Sequence, residues 1–440
     1  MYGYDAIRAS DGAIRRLRAL HPSLIDLTTG RVERLLEALG RPHERMGPAI
    51  HVAGTNGKGS TTAFLRAMAE AAGLRVHVLT SPHLVRFAER IRVGGKLISD
   101  DELSQRIDEV EAANAGEPIS FFEITTCLAF HAFAQAPADL VVVEVGLGGR
   151  FDATNVFTSP AVSVITPVDY DHLEMLGPEL HKIAWEKAGI VKRGRPVISA
   201  RQRDEALAVI EAEAAALSAP LTLMGQDFDT HESAGRLTVT LEDRLLDLPL
   251  PSLPGEHQHE NAALAAVALL KLNDPRIDDA AIARGVASAE WPGRFQRLTA
   301  GPLGEIARAA GADLWLDGGH NPHGARALAR ACARMSARDG RPWTFIVGLL
   351  GRKDAAGFFE ALTELGPRVI AVPFSSGNHT PPEVLAEAAT AAGLVASVQT
   401  DVTAALKAAL GADHPPHVMI CGSLHFVGDV LAMSPETWPR

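Results

Sequence analysis

Cysteine is scarce in this chain of 440 residues: Cys127, Cys332 and Cys421 are the only three, and none has the paired spacing of a disulfide framework or a zinc site. That excludes a small disulfide-held secreted domain and points to a reducing compartment. A basic excess is also lacking, since 42 Lys and Arg stand against 53 Asp and Glu for a net charge of -11. A general nucleic-acid binder needs a net basic face, so that class is disfavoured, while a local basic pocket for phosphates stays open. No uninterrupted apolar run approaches the roughly 20 residues that span a bilayer, and the N-terminus lacks a basic segment followed by an apolar stretch. The expectation is a soluble, cytoplasmic protein with no membrane partner. What is present is ordinary globular material, 47% hydrophobic and 22% charged, and its length suits two large domains.

The most informative stretch is residues 50–62, IHVAGTNGKGSTT, which joins an apolar run to a glycine-rich turn. Gly54, Gly57 and Gly59 allow a tight turn with N–H groups aimed at phosphate oxygens. Lys58 adds charge, Ser60 can reach a magnesium ion, and a helix from Ser60 onward adds its positive end. The spacing departs from G-x-x-x-x-G-K-[ST], with two residues between Gly54 and Gly57 and an extra glycine between Lys58 and the hydroxyl.

Apolar runs rich in valine and isoleucine predict buried strands at residues 50–53, 75–79, 139–145 and 161–166. Helical patterns at 60–72 and 121–135 separate them, so the first part reads as a mostly parallel sheet with crossover helices. Phosphate should bind at the strands' carboxyl ends. After Val197 an alanine-rich helix is expected at 204–217, antiparallel hairpin strands over 236–248, and a helix at 260–271. The segment EWPGRFQR, 290–297, is the expected interdomain connection, with the boundary near Phe295. Beyond it, strand-like runs at 312–316, 344–349, 368–372 and 417–421 alternate with helices starting at Pro322, Asp354, Pro382 and Ala404. The expected domains are therefore 1–295 and a smaller α/β domain, 296–440.

Glu144 follows LVVV, which presents a carboxylate at a strand end, where it suits magnesium opposite the phosphate loop. The string VGLGG after it is a weak dinucleotide signal, because no helix pattern follows, and serves equally as a glycine-rich connection. Ser81, Asp171 and His172 lie just past predicted strands and reach the same sheet edge; a lone histidine there is ordinarily structural, since magnesium prefers oxygen. Lys187, in IAWEKAGIVK, falls on a helix where a lysine is ordinarily solvated. Phe122 and Glu123 suit either the core and first turn of a helix or a site. In the second half, Asp317 leads into GGHNPHG, which places an acid, His320, His323 and Asn321 at a strand-to-helix turn. Asn321 before Pro322 suits a helix cap, but capping accounts for neither Asp317 nor His320. Arg294, near the connection, suits a phosphate if the domains close on it.

Taken together, HVAGTNGKGS, SPHL, FFEITT, EVGLGGRFDATN, DH, IAWEKAGIVK, HENAALA, PGR, DGGHNPHG and GSL resemble the folylpolyglutamate synthase and dihydrofolate synthase family, the folate branch of the Mur ligase superfamily, over nearly the whole chain. The phosphate loop marks the superfamily; SPHL, EVGLGGRFDATN and EKAGI in this order mark the branch. The resemblance implies a mostly parallel P-loop-type ATPase domain followed by a smaller Rossmann-like domain, acting as a monomer. It also implies a reaction: ATP phosphorylates the carboxylate of dihydropteroate or of tetrahydrofolate and its polyglutamates, and L-glutamate attacks the acyl phosphate to form an amide. By the same resemblance Gly57, Lys58, Gly59 and Ser60 bind ATP, with Asn261, Arg294 and Asp317 completing the nucleotide site between the domains. Ser60, Ser81, Glu144 and His172 hold Mg2+ at two sites, Lys187 matches the lysine carried as a carbamate, and His320 lies near the reacting phosphate. Phe122, Arg150, Phe151, Asp152 and the segment from Asp26 to Arg31 match the pterin contacts.

Two residues depart from the family pattern: Gly319 stands where alanine is usual, and Arg352 where an acid commonly precedes the lysine, so no role passes to Arg352. The alternatives are an enzyme with polyglutamylation alone, a peptidoglycan-precursor ligase with a uridine-nucleotide substrate, and a nucleotide-gated binding module without ligation.

Overall fold

The alternation of β-branched runs with helical patterns produces two α/β units in the computed structural model, which describes residues 9–21, 28–242, 244–351, 353–376, 378–411 and 416–439. Residues 84–86, 253–257 and 291–440 form the second unit and the rest of the chain the first. Asp26 and Arg352 lie outside the described residues.

In the first unit β1 (Ala49–Ala53), β2 (Val76–Leu79), β3 (Ile91–Val93), β4 (Lys96–Leu97), β5 (Leu140–Glu144), β6 (Val162–Ile165), β7 (Val197–Ser199) and β8 (Leu221–Leu223) make one sheet. Its order is β4-β3-β2-β5-β1-β6-β7-β8. The six strands from β2 to β8 in that order run parallel, and β3 and β4 add an antiparallel edge. Every residue of β1, β2, β5 and β6 is buried, as a sheet covered on both faces requires. Parallel register sets Val52 of β1 beside Glu144 of β5, so the phosphate turn and this carboxylate leave the sheet at neighbouring places.

The helix Phe121–Phe133 starts on a capping box, in which Ser120 Oγ accepts from the Glu123 N–H and Glu123 Oε2 accepts from the Ser120 N–H at 2.7 Å. Where a hairpin was expected there are three antiparallel strands, β9 (Phe228–Ser233), β10 (Arg236–Leu241) and β11 (Arg244–Pro249). β9 escapes the alternation rule because only Phe228 of FDTHES is buried, so its pattern looks like a polar loop.

The second unit holds β12 (Gln296–Arg297), β13 (Asp313–Leu316), β14 (Trp343–Val347), β15 (Arg368–Ala371), β16 (Ala396–Val398) and β17 (His417–Cys421) in the order β12-β13-β17-β14-β15-β16. All pairs are parallel except β12 with β13. Leu314 and Leu316 pack into the core on one face while Trp315 packs against the core on the other, the period-2 alternation of a doubly covered strand. The three cysteines are unpaired and buried. No helix among the described residues is long and apolar enough to cross a membrane.

Candidate active site

The turn after β1 is held by its neighbours. The Thr55 and Asn56 N–H groups donate to the Pro167 carbonyl at 2.9 and 3.3 Å, and Thr55 Oγ1 donates to the Asp169 carbonyl at 2.9 Å. Gly57 has φ +89° and starts the helix Lys58–Ala71 with no side-chain cap, which leaves the N-terminal N–H groups open to an anion. A Cβ there would stand 2.6 Å from Asn261 Oδ1, so only glycine lets the helix Glu256–Leu270 come this near. From that helix Gln258 Nε2 donates to the buried Ser60 Oγ at 3.3 Å, and Asn261 Nδ2 donates to Gln258 Oε1 at 3.0 Å. Gln258 is a supporting residue that the sequence reading missed, although it stands one turn before Asn261.

Lys187 overturns the ordinary expectation for a helix lysine. On Leu180–Ala188 it is 5% exposed, whereas its neighbour Trp185 is 44% exposed. Its Nζ donates to the Gly54 carbonyl at 2.9 Å, the same oxygen that Lys58 Nζ reaches at 3.1 Å. Burial, reinforced by the charge of Lys58 and opposed by Asp171, Glu186 and Asp152, brings the Lys187 amine down to about 7. Lys58, Lys187, His172 and Gly146 line one cavity. His172 sits in the left-handed region at φ +53°, with its N–H donating to Asp171 Oδ1 at 2.8 Å.

Ser81 and Glu144 share a second cavity with Phe122 and Arg90. The Ser81 N–H donates to Glu144 Oε2 at 3.3 Å. Gly146 is required here because a Cβ would meet Phe122 Cζ at 2.3 Å. Among the described residues no three His, Cys, Asp or Glu side chains gather as a metal cage. The oxygen groups that the two cavities and the glycine-rich turn offer, the Ser60 and Ser81 hydroxyls and the Glu144 carboxylate, are of the hard type that suits a cation keeping water and taking its remaining oxygens from phosphates.

The residues matched to a pterin site fall into two groups. Phe151 is 40% exposed, but Arg150 is clamped by Glu213 at 2.9 Å and lies over the Trp185 ring at 4.0 Å. Asp152 is 3% exposed and faces inward. Arg31 forms a two-pronged pair with Glu123 at 3.0 and 2.8 Å.

In the second unit Asp317 follows β13. Its Oδ2 accepts from the Phe295 N–H at 2.8 Å and its Oδ1 from the Gly319 N–H at 2.6 Å. Burial pushes this carboxyl above the usual range, against the pull of Arg294 and those N–H groups. The ring of His320 is oriented by Nδ1 at 2.9 Å from the Gly318 carbonyl. Asn321 caps the helix Pro322–Asp339 by accepting from the Gly324 N–H at 2.8 Å. A methyl on Gly319 would stand 2.9 Å from Asp317 Oδ1, so the glycine leaves that carboxylate more room.

Comparison with known proteins bears on this arrangement. The Mur ligase middle domain matches residues 52–269, and the dihydrofolate synthetase C-terminal domain matches residues 306–433. The dihydrofolate synthase/folylpolyglutamate synthase of Escherichia coli K12 is 34% identical over 94% of this chain and 93% of its own length. The Bacillus subtilis protein of the same description is 38% identical over 70% of this chain and 72% of its own. Among solved structures, E. coli FolC in complex with DHPP and ADP has a TM-score of 0.84 at 32% identity, covering 97% of each chain. A bifunctional folylpolyglutamate synthase/dihydrofolate synthase with Mn, AMPPNP and L-glutamate bound also has a TM-score of 0.84, at 33% identity over 97% of this chain and 98% of that one.

Proposed function

We infer, because the chain belongs to the dihydrofolate synthase/folylpolyglutamate synthase family, that it joins L-glutamate to the carboxylate of dihydropteroate and of tetrahydrofolate and its polyglutamates, using ATP. The observation that carries this reading is the convergence of Lys58 and the buried Lys187 on one carbonyl of the glycine-rich turn. Lys187 is buried and Lys58 partly so, and bringing two cationic groups together in such a place is costly unless an anion occupies the site.

In this reading the open N–H groups at the start of the helix Lys58–Ala71 and the Lys58 ammonium hold the ATP phosphates and stabilise charge during transfer. A carboxylate is a poor acyl acceptor for an amine at neutral pH, and phosphorylation gives it a leaving group. The amino group of L-glutamate then attacks the acyl carbon, and phosphate departs. Ser60, Ser81, Glu144 and His172 would hold magnesium, which supplies charge neutralisation at the phosphates. Lys187, with an amine near neutrality, is suited to take up carbon dioxide as a carbamate and so become an oxygen ligand. Asn261, Arg294 and Asp317 are assigned to the nucleotide, and His320 to the reacting phosphate, on their match to the family motifs. Phe122, Arg150, Phe151 and Asp152 are assigned to the pterin acid on the same basis.

The test is ATP-dependent product formation by mass spectrometry, with L-glutamate and either dihydropteroate or tetrahydrofolate. Product from both acids supports two activities. Product from tetrahydrofolate alone leaves polyglutamylation, product from dihydropteroate alone leaves dihydrofolate synthesis, and product from neither overturns the reading.

A further inference from the structure

Beneath the turn that carries Arg150 and Phe151 runs a buried polar chain. Asp152 Oδ2 accepts from the Leu147 N–H at 2.9 Å. Its Oδ1 accepts from the Thr154 N–H at 3.0 Å and from Thr154 Oγ1 at 2.5 Å. Thr154 Oγ1 in turn lies 2.9 Å from His51 Nε2. His51 and Thr154 are 0% exposed and Asp152 is 3% exposed, so water does not substitute for any of these contacts.

The direction of the chain follows from its donors. Both Asp152 oxygens face N–H groups, so the carboxylate acts as acceptor and the Thr154 hydroxyl hydrogen is committed to Oδ1. The Thr154 oxygen is left with lone pairs toward His51, which must therefore carry its hydrogen on Nε2. The other ring nitrogen, Nδ1, has no hydrogen-bond partner among the described residues, and the ring meets Phe157 edge-on at 5.5 Å, surroundings that suit a bare lone pair better than an N–H. Burial, with Lys192 adding to it, takes His51 down to about 3, which keeps the imidazole neutral at any working pH.

His51 belongs to β1, the strand that delivers the phosphate turn, whereas Asp152 and Thr154 belong to the loop after β5. We propose that His51 and Thr154 are positioning residues for the acceptor acid: the chain His51 Nε2–H to Thr154 Oγ1–H to Asp152 fixes the Gly146–Phe151 turn against β1, holding the acceptor loop in register with the phosphate loop. This rests on the reading above that the turn takes the pterin acid. It assigns Asp152 to organising the loop from within, with both oxygens engaged by protein donors.

The test pairs Thr154→Val, which keeps the shape and removes the hydroxyl, with Thr154→Ser, which keeps the hydroxyl. Thr154→Val leaves the buried His51 Nε2–H without its acceptor, so it should raise the KM for the acceptor acid roughly 10-fold or more while the KM for ATP and the melting shift produced by ADP stay near wild type. Thr154→Ser should restore the acceptor KM to within a few-fold. Equal damage by both variants, or parallel loss of acceptor and ATP binding, would show a packing role and overturn the proposal. An independent readout needs no turnover: nitrogen-15 NMR of the ligand-free protein should show His51 as the Nε2–H tautomer, and the Nδ1–H tautomer would refute the chain. If neither acid is a substrate of the wild type, the functional reading fails, and the tautomer still decides whether the chain exists.

Discussion

Lowering the pH through neutrality should strip Lys187 of the neutral amine on which a carbamate depends. Burial and the nearby Lys58 charge take this amine from 10.5 to about 7. At pH 7.5 an amine titrating at 10.5 is neutral in roughly 0.1% of molecules, and one titrating at 7 in roughly 75%, a gain of several hundred-fold in the form that reacts with carbon dioxide. At pH 6 the neutral fraction falls to roughly 10%. Carbon-13 NMR with labelled bicarbonate, run from about pH 6 to 9, should show one carbamate resonance that is absent from Lys187→Met and has its midpoint within about a unit of 7. A midpoint above about pH 9, or a resonance that persists in Lys187→Met, would refute the reasoning. The sign for stability follows from the same shift: the folded state binds fewer protons than the unfolded one between about 7 and 10.5, so this group's contribution to stability rises with pH across that window and its burial is most costly below 7. In bicarbonate-free buffer Lys187→Met should therefore raise the melting temperature more at pH 6 than at pH 9.

Three further substitutions test other parts of the structure. Gly57→Ala adds a Cβ 2.6 Å from Asn261 Oδ1 at a backbone φ of +89°, and should weaken ATP binding at least 10-fold by calorimetry, with wild-type affinity as the failing result. Gly285→Ala places a methyl 2.3–2.4 Å from the Met68 backbone where two helices meet; overpacking of this kind costs about 1–3 kcal/mol, and a denaturation midpoint unchanged from wild type would count against it. Asp317→Asn turns one of two accepting oxygens toward an N–H as a donor, and should cost about 1–3 kcal/mol of stability in denaturant melts while lowering turnover; a variant matching wild type in both would remove Asp317 from the site.

The strands bearing the site were legible because each is a short β-branched run ending at a glycine or polar turn, as at residues 50–53 and 139–145, against observed bounds of Ala49–Ala53 and Leu140–Glu144. Edges were not: β9 lacks alternation, and β12 has two residues, too few for any periodicity. Among the candidate site residues, Lys58 and Ser60 stood out because strand, glycine-rich turn, lysine and hydroxyl occur together, although their spacing departs from the standard loop. Lys187 was singled out in the sequence only through resemblance, since with Glu186 before it and Ala188 and Gly189 after it the local pattern does not say that this face of the helix is buried. Gln258 and the His51–Thr154 contact are long-range, 198 and 103 residues apart, and no local signal reports such pairs.

The polar side chains around the acceptor turn already have protein partners. Arg150 is held by Glu213 and Trp185, Asp152 by Thr154 and Leu147, and Arg31 by Glu123. Under the proposed assignment Arg150 and Asp152 shape the turn, and the surfaces left to touch an acid are the exposed ring of Phe151, the wall of Phe122 and the turn's own backbone. A site that recognises by ring contact and shape discriminates weakly between planar acids that differ at one end, whereas one built on dedicated hydrogen bonds rejects an analogue lacking them strongly. This favours the reading in which dihydropteroate and tetrahydrofolate share one site over a single activity. It predicts that dihydropteroate competes with tetrahydrofolate as an alternative substrate, each raising the apparent KM of the other without changing the maximal rate of its own product; noncompetitive inhibition would require two acceptor sites.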